Sequence, residues 1–200
     1  MGEEDSTMKL AHKLHAALLL TAVGLMLPGV ASAIDYRWVD GGIVDRDASN
    51  GLGARIAGSA ALTTPLAAFG EIVDDDEFTQ VSAGALFHAP INMNLDFNVG
   101  GSVEIVETGA EDDTGLGARM GLRWLVPESR GLELSPEVRH VMVFNTSSTS
   151  LRANALFPVS RNLLLQGELQ GGDDDRVEIG MRYSFSPSRY APARQASASE

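Results

Sequence analysis

The sequence predicts an all-β fold, namely a single antiparallel up-and-down transmembrane β-barrel of about ten strands, with eight strands as the alternative. Three observations predict it. Short segments between residues 36 and 185 alternate apolar with polar residues, two kinds of connection alternate between these segments, and the chain opens on a signal-peptide pattern. Since no segment approaches eighteen consecutive apolar residues, no transmembrane helix is expected.

The N-terminal segment has the order of a secretory signal. Lys9 and Lys13 precede the apolar run 16–27, and the small residues Ala31, Ser32 and Ala33 follow it. The run, at about twelve residues, is too short to cross a hydrocarbon core of roughly 30 Å as a helix. The alternative is a buried amphipathic helix, but the small-residue ending favours a signal cleaved after Ala33. The predicted organisation is therefore an N-terminal extension and signal peptide (1–33), a barrel (34–185) and a disordered tail (186–200).

Four segments alternate clearly enough to be predicted as strands: 52–62, 81–87, 95–107 and 116–126. Each approximates the ten residues that a tilted strand needs to cross a bilayer. Weaker candidates are 36–44, 66–73, 132–144, 150–157 and 163–170. The eight-strand alternative arises because 66–73 lacks a decisive polar face and 132–144 contains Pro136, a residue usually confined to strand edges and bulges.

The last predicted strand, 177–185, alternates strictly. Its apolar positions are Val177, Ile179, Met181, Tyr183 and Phe185. A period of two indicates a half-buried strand, and this one ends on two aromatic residues spaced two apart.

The connections fall into two alternating sets. One set, at the end we call the proline rim, contains Pro65, Pro90, Pro127 and Pro158. The other set, at the end we call the acidic rim, comprises the polar segments 45–50, 74–77, 108–114, 145–149 and 173–175. Transmembrane barrels have short turns at one rim and longer loops at the other, so we expect short proline connections and long acidic ones.

The aromatic residues are expected to form girdles at the two rims, because amphipathic rings settle at the depth of lipid headgroups. The group expected towards the proline rim is Tyr36, Trp38, Phe69, Phe87, Phe97, Trp124, Phe157, Tyr183 and Phe185. Phe78 and Phe144 are expected at the acidic rim. A soluble β-sandwich, the alternative for this many strands, would instead scatter its aromatic residues through a shared core.

The chain resembles the small porin-like outer-membrane β-barrel family, which includes OmpA-type transmembrane domains. The resemblance covers residues 36–185, and its most specific part is the closing strand with Tyr183 and Phe185. It implies a location in the cell outer membrane, contact with outer-membrane lipid and lipopolysaccharide, and recognition of Tyr183 and Phe185 by the barrel-assembly machinery as a C-terminal signal. No particular external partner is implied.

Alternation assigns a set of charged residues to the lumen as a polar network. These are Arg55, Glu104, Arg119, Arg123, Glu133, Glu137, Arg139, Arg152, Glu168, Glu178 and Arg182. A barrel of about eight strands is just filled by its own side chains. Because both signs are present, charge-assisted arginine–carboxylate pairs are expected to plug the lumen. The alternative is a narrow porin-like channel for ions or small solutes.

The aspartate clusters of the acidic rim are a possible divalent-ion site, because carboxylate oxygens suit calcium and magnesium. The cluster comprises Asp74, Asp75, Asp76, Asp112, Asp113, Asp173, Asp174 and Asp175. The alternative is a set of solvated loops, which is the usual fate of charge runs. No cofactor is expected.

Composition and histidine placement argue against other functions. A net charge of -12 disfavours nucleic acid as a partner, and the lack of cysteine excludes disulfides and thiolate sites. His88 is expected at a turn of the proline rim, and alternation groups His140 with Val138 and Met142 on the lipid side. We therefore predict a non-enzymatic barrel with a structural or surface-interaction role, and a barrel hydrolase is the least favoured alternative.

Overall fold

The computed structural model describes residues 34–47, 51–109 and 111–186, which form ten antiparallel strands. The strands are β1 (Trp38–Arg46), β2 (Leu52–Thr63), β3 (Leu66–Asp74), β4 (Phe78–Asn92), β5 (Leu95–Thr108), β6 (Glu111–Leu125), β7 (Glu133–Val143), β8 (Thr146–Pro158), β9 (Leu163–Gly172) and β10 (Arg176–Ser184). Within these ranges there is no helix long and apolar enough to cross a membrane. The predicted signal peptide with its cleavage site, and the predicted tail beyond residue 186, lie outside the described residues.

The ten strands close into one barrel. Each strand pairs with the next along the chain, and β1 closes on β10 with Trp38 opposite Ser184 and Arg46 opposite Arg176. Closure gives each strand two hydrogen-bonded neighbours, so that no open edge remains. The predicted all-β, up-and-down, closed barrel is confirmed, and the strand number is ten.

The two least regular segments of the sequence are full strands, β3 and β7. In β7, Pro136 lies opposite Ala153 of β8. On the β6 side the paired positions pass from Gly121 opposite Glu137 directly to Trp124 opposite Leu134. A proline lacks the N–H that a ladder bond needs. Pairing with β6 is therefore interrupted at Pro136, while the register on both sides stays the same.

The expected difference in connection length between the two rims is wrong. The acidic rim has very short connections at 109–110 and 144–145, whereas the long connection 126–132 lies on the proline rim. The predicted loop 108–114 is mostly strand, since β6 begins at Glu111 and its residues pair with β5. Carboxylates on a strand end still reach solvent, so their charge does not prevent backbone pairing. Alternating charge alone therefore does not locate the end of a strand.

The wall of the barrel is apolar outside and polar inside. Ile43 and Ile179 are large apolar side chains with exposed fractions of 58% and 68%. By contrast, Glu104, Gln166 and Glu178 are among the largest fully buried side chains. Soluble proteins show the opposite distribution, with charged residues almost never fully buried unless they are paired.

The aromatic prediction is right for one group of residues and wrong for another. Phe87, Trp124, Phe157, Tyr183 and Phe185 are exposed and lie at or just beyond strand ends of the proline rim. The rings of Tyr183 and Phe185 contact each other edge to face at 5.3 Å.

Three aromatic residues expected in the girdle are instead inside the barrel. Tyr36 and Phe69 are buried, and Trp38 shares their inward side. An arginine covers each ring: Arg123 lies 4.6 Å from Tyr36, Arg182 3.9 Å from Trp38 and Arg119 4.0 Å from Phe69. Cation–π contact explains why these rings face the polar lumen rather than the outer surface.

Candidate functional site

The lumen has its centre at Glu71 of β3, a residue that the sequence analysis did not select. Arg55 on the neighbouring strand β2 donates to Glu71 Oε2 from Nε at 3.1 Å and from Nη2 at 2.9 Å. Arg152 on β8 donates to both oxygens, at 3.0 and 3.2 Å. Arg139 on β7 adds a bond of 3.3 Å. All four side chains are buried, so Glu71 joins three guanidinium groups away from solvent.

Asp40 of β1 forms a second centre, also absent from the predicted set. It accepts hydrogen bonds from Arg55 at 2.9 Å and from Arg182 at 2.7 Å. Arg55 also reaches Glu178 at 3.1 Å, and Gln166 donates to the same Glu178 oxygen at 3.1 Å. Arg55 therefore connects Asp40, Glu71 and Glu178.

Glu104 of β5 is a third centre. Its Oε2 accepts bonds from Gln80 at 2.9 Å, from Arg139 at 2.7 Å and from the hydroxyl of Ser82. Its Oε1 accepts a bond from Ser102 at 2.5 Å. Space for this carboxylate comes from Gly117 of β6, where a Cβ atom would lie 2.3 Å from Glu104 Oε1.

The remaining predicted lumen residues form smaller pairs. Glu168 accepts a bond from Arg176 at 2.8 Å, and Arg123 donates to Glu133 at 2.7 Å. Arg119 is more loosely placed, with its Nη1 3.9 Å from an oxygen of Glu137. Lumen arginines and lumen carboxylates occur in equal number: Arg46, Arg55, Arg119, Arg123, Arg139, Arg152, Arg176 and Arg182 against Asp40, Glu71, Asp96, Glu104, Glu133, Glu137, Glu168 and Glu178.

At the acidic end of the lumen Arg46 contacts two connections, an arrangement that we call the rim latch. Arg46 Nη1 lies 2.9 Å from Asp75 and Nη2 lies 2.8 Å from Asp174, so β1 is joined to the β3–β4 and β9–β10 connections. The guanidinium also covers the ring of Phe78 at 3.8 Å. Arg46 therefore brings together two aspartates of the predicted ion cluster, Asp75 and Asp174.

Other aspartates of that predicted cluster accept hydrogen bonds in turns. Asp74 accepts from the Thr79 hydroxyl at 2.6 Å, and Asp113 accepts from the backbone N–H of Phe144. Asp173 and Asp175 accept backbone N–H groups of Thr149 and Gly172, each at 2.8 Å. Asp76 and Asp112 are exposed. Within the described ranges no group of three His, Asp or Glu side chains is placed to hold a metal ion, and the divalent site stays a prediction.

The segment before β1 enters the proline end of the lumen. Ile34 and Tyr36 are buried against Ala67, and the ring of Tyr36 stacks on His88 at 3.8 Å. Burial raises the pKa of the Tyr36 hydroxyl to about 12. His88 thus lies within β4 and faces the lumen, where its Nδ1 is 3.6 Å from Asp96, rather than sitting in a turn.

His140 lies on the outer side of β7, between the exposed residues Val138 and Met142, as alternation predicts. Its Nδ1 is 2.8 Å from the hydroxyl of Thr149. Among the described residues, His140 makes this one hydrogen-bond contact. His140 thus faces away from the polar lumen.

Between Tyr36 and Glu71 the lumen contains a cavity of about 110 Å³. Its wall includes five arginines and three glutamates: Arg55, Arg119, Arg123, Arg152 and Arg182, with Glu71, Glu137 and Glu168. The described lumen is thus polar and crossed by ion pairs at its centre.

No protein-family model matches the sequence, and no curated protein sequence matches it. Solved structures match in fold. The KdgM porin is 11% identical, with 74% of this chain and 99% of the porin covered and a TM-score of 0.50. An outer-membrane channel from Pseudomonas putida F1 is 13% identical over 80% of this chain and 100% of the channel, with a TM-score of 0.46.

A designed transmembrane β-barrel is 19% identical over 76% of this chain and 98% of the design, with a TM-score of 0.39. The strand order and the inward-facing charges of this structure define its class, a closed antiparallel β-barrel with a polar lumen. At these identities the likeness concerns the fold, and an OmpA-type membership is not established by it.

Proposed function

We propose that this chain is a non-enzymatic outer-membrane β-barrel with a structural or surface-interaction role, whose lumen is closed by its own arginine–carboxylate network. One observation carries the proposal. In a ring of ten strands β3 and β8 lie opposite each other, and Arg152 of β8 binds Glu71 of β3 at 3.0 Å. The bond spans the barrel, so the middle of the lumen is occupied by side chains.

The outer surface supports a membrane location. The exposed face of the wall is rich in large apolar residues, of which Ile56, Leu165 and Val177 are examples. Contiguous apolar surface on this scale is unusual for a protein surrounded by water. A closed barrel also satisfies its backbone internally, as a bilayer requires. The signal-peptide pattern and the fold shared with the KdgM porin favour the outer membrane.

The partners proposed on this basis are outer-membrane lipid and lipopolysaccharide. The exposed aromatic pair Tyr183 and Phe185 is available on the outer face for the barrel-assembly machinery. Aspartates of the acidic rim would meet lipopolysaccharide through divalent ions that bridge to its phosphates.

Membrane fractionation tests the location. We expect the mature protein in the outer-membrane fraction, with faster gel migration before boiling than after it, because a closed barrel resists detergent unfolding. The variant Ile56→Arg places a charge in the middle of the lipid-facing surface and should lose this heat-dependent shift. Recovery of the wild-type protein in the soluble periplasmic fraction would contradict the proposal.

A narrow porin-like channel is the second candidate, and the cavity of about 110 Å³ favours it. Conductance in planar bilayers distinguishes the two. A closed lumen predicts no discrete current steps from the wild type. The double variant Glu71→Ala with Arg152→Ala removes the Arg152–Glu71 bond across the lumen. It is the positive control, because discrete current steps from it would show that the assay detects an open barrel. Discrete steps from the wild type would replace the closed-barrel proposal by the channel.

A further inference from the structure

The cavity between Tyr36 and Glu71 is bounded by more positive than negative side chains. Five arginines and three glutamates belong to its wall. Further carboxylates nearby are already bound, since Asp40 accepts bonds from Arg55 and Arg182, and Glu133 accepts one from Arg123. These bonds neutralise Arg55, Arg182 and Arg123, and Arg152 is bound by Glu71, so Arg119 is the arginine of the cavity wall without a close carboxylate.

Arg119 is the arginine whose charge is least neutralised. Its Nη1 is 3.9 Å from the Glu137 carboxylate, beyond hydrogen-bonding distance, and its side chain is only 10% exposed. Its Nη2 is buried and has no hydrogen-bond partner among the described residues. The other face of the guanidinium lies against Phe69, which offers no acceptor in the ring plane. By contrast, Arg152 at the same cavity donates to both oxygens of Glu71.

A buried donor without an acceptor is costly, and the cost is greater for a charged group. An arginine side chain has hydrogen-bond donors only, so this donor can be satisfied only by an acceptor that enters the cavity. A volume of about 110 Å³ admits a few atoms, not a sugar or a peptide. Among the described residues Glu137 is the carboxylate within 4 Å of Arg119, and its contact is with Nη1, so an anion at Nη2 would bind a different nitrogen.

We propose that this cavity binds a small monovalent anion, of the size of formate or bromide, against Nη2 of Arg119. Phe69 fixes the guanidinium plane, and the charge of Arg119 itself attracts the anion. The site lies between Tyr36 and the Glu71 ion pairs. The inference goes beyond the proposed structural role and does not require that the barrel conduct.

Thermal unfolding of the full mature chain in detergent tests binding. Sodium formate, compared with sodium gluconate at equal ionic strength, should give a saturable rise of a few degrees in the unfolding midpoint, because gluconate is too large for the cavity. Arg119→Gln should abolish this difference. Arg161→Gln removes the same charge from an exposed connection outside the cavity and should keep it. Equal midpoints in both salts for the wild type would overturn the proposal.

Two further measurements keep the test decisive if Arg119→Gln does not fold. Ala57 lines the cavity and is buried, so Ala57→Leu fills it without changing charge and should also abolish the formate effect. Crystals of the wild type soaked in sodium bromide should show anomalous density within hydrogen-bonding distance of Arg119 Nη2. Density for water alone at that position, or bromide only at the outer surface as an adventitious ion, would contradict the site.

Discussion

The centre of the lumen and the rim latch use the same chemistry in different surroundings. At the centre, Arg55 and Glu71 are each about 4% exposed. At the acidic rim, Arg46 is 9% exposed and its two partners differ, since Asp75 is 2% exposed and Asp174 is 24% exposed. In both places one arginine binds more than one carboxylate at close to 2.9 Å. The difference in burial, and not in geometry, should therefore decide what each contributes to stability.

Burial changes the consequence of losing one partner. Removal of one member of a buried ion pair leaves an uncompensated charge away from water, which is strongly destabilising. An exposed partner is instead solvated by water, and exposed ion pairs contribute little to the free energy of unfolding. The stabilities contributed by the ion pairs of the lumen centre should thus be coupled to one another. The contribution of the rim latch should be independent of them.

The largest expected effect is that of Glu71→Gln. Three arginines lose their shared carboxylate, so the free energy of unfolding should fall by about 3–5 kcal/mol. Urea unfolding in phospholipid vesicles, followed by tryptophan fluorescence, measures it. Glu128→Gln removes the same charge from an exposed connection and should change stability by less than about 0.5 kcal/mol. Equal effects of the two variants would show that the central ion pairs are not coupled.

A smaller loss is expected for Arg182→Met. Asp40 loses one donor but keeps Arg55 at 2.9 Å, so its carboxylate remains paired. The cost should be that of a hydrogen bond to a charged group, about 1.5–3 kcal/mol. The same urea unfolding series measures it, and a loss as large as that of Glu71→Gln would contradict the difference between one lost partner and three.

Arg46→Met should reduce the free energy of unfolding by about 1–2 kcal/mol. Asp174 is 24% exposed and can be solvated once the arginine is gone, whereas the Asp75 side chain is buried and keeps the bond from the backbone N–H of Glu77. The substitution keeps the apolar part of the side chain over Phe78, so it isolates the loss of charge. A reduction of several kcal/mol, measured in the same way, would place the rim latch with the buried centre.

Salt gives the smallest and most selective effect. In 1 M NaCl the screening length falls to about 3 Å, which weakens interactions between exposed charges. The stability difference between wild type and Arg46→Met should then shrink, because its Asp174 partner is partly exposed, while the difference for Glu71→Gln should persist. Paired urea titrations at about 0.1 and 1 M NaCl measure both differences, and equal salt sensitivity of the two would contradict the distinction.

Alternation in the sequence predicted the barrel and much of its inner surface. Arg119 and Glu104 lie on strands with clear alternation, and both face the lumen as expected. Alternation works for these strands because adjacent side chains point to opposite sides of the wall.

The residues at the centre of the network escaped the same reasoning. Glu71 is the only charged residue in the apolar segment 66–73, and Asp40 follows Trp38 in a weakly patterned strand. The sequence signal for these two residues was a single charge within an apolar strand. Such a residue must face the lumen, because on the outer side it would be an unpaired charge in an apolar environment.

The pairing across the lumen could not be predicted from alternation at all. Which residues of β3 and β8 meet depends on the strand number and on the stagger of the closed sheet. These properties belong to the whole barrel. The same holds for Tyr36, Trp38 and Phe69. Their aromatic character predicted their position along the barrel axis, but not whether they face the lumen or the outer surface.

Accessibility of the lumen centre to a water-soluble reagent tests the closed lumen most directly. The chain has no cysteine, so Ser82→Cys, beside Glu104 and Arg139, would be a unique probe, and Glu111→Cys at the exposed start of β6 would be its matched control. We expect a membrane-impermeant maleimide to label Glu111→Cys completely in the folded barrel and to label Ser82→Cys only after unfolding in urea. Labelling of folded Ser82→Cys at the rate of the control would contradict a lumen closed by its own ion pairs.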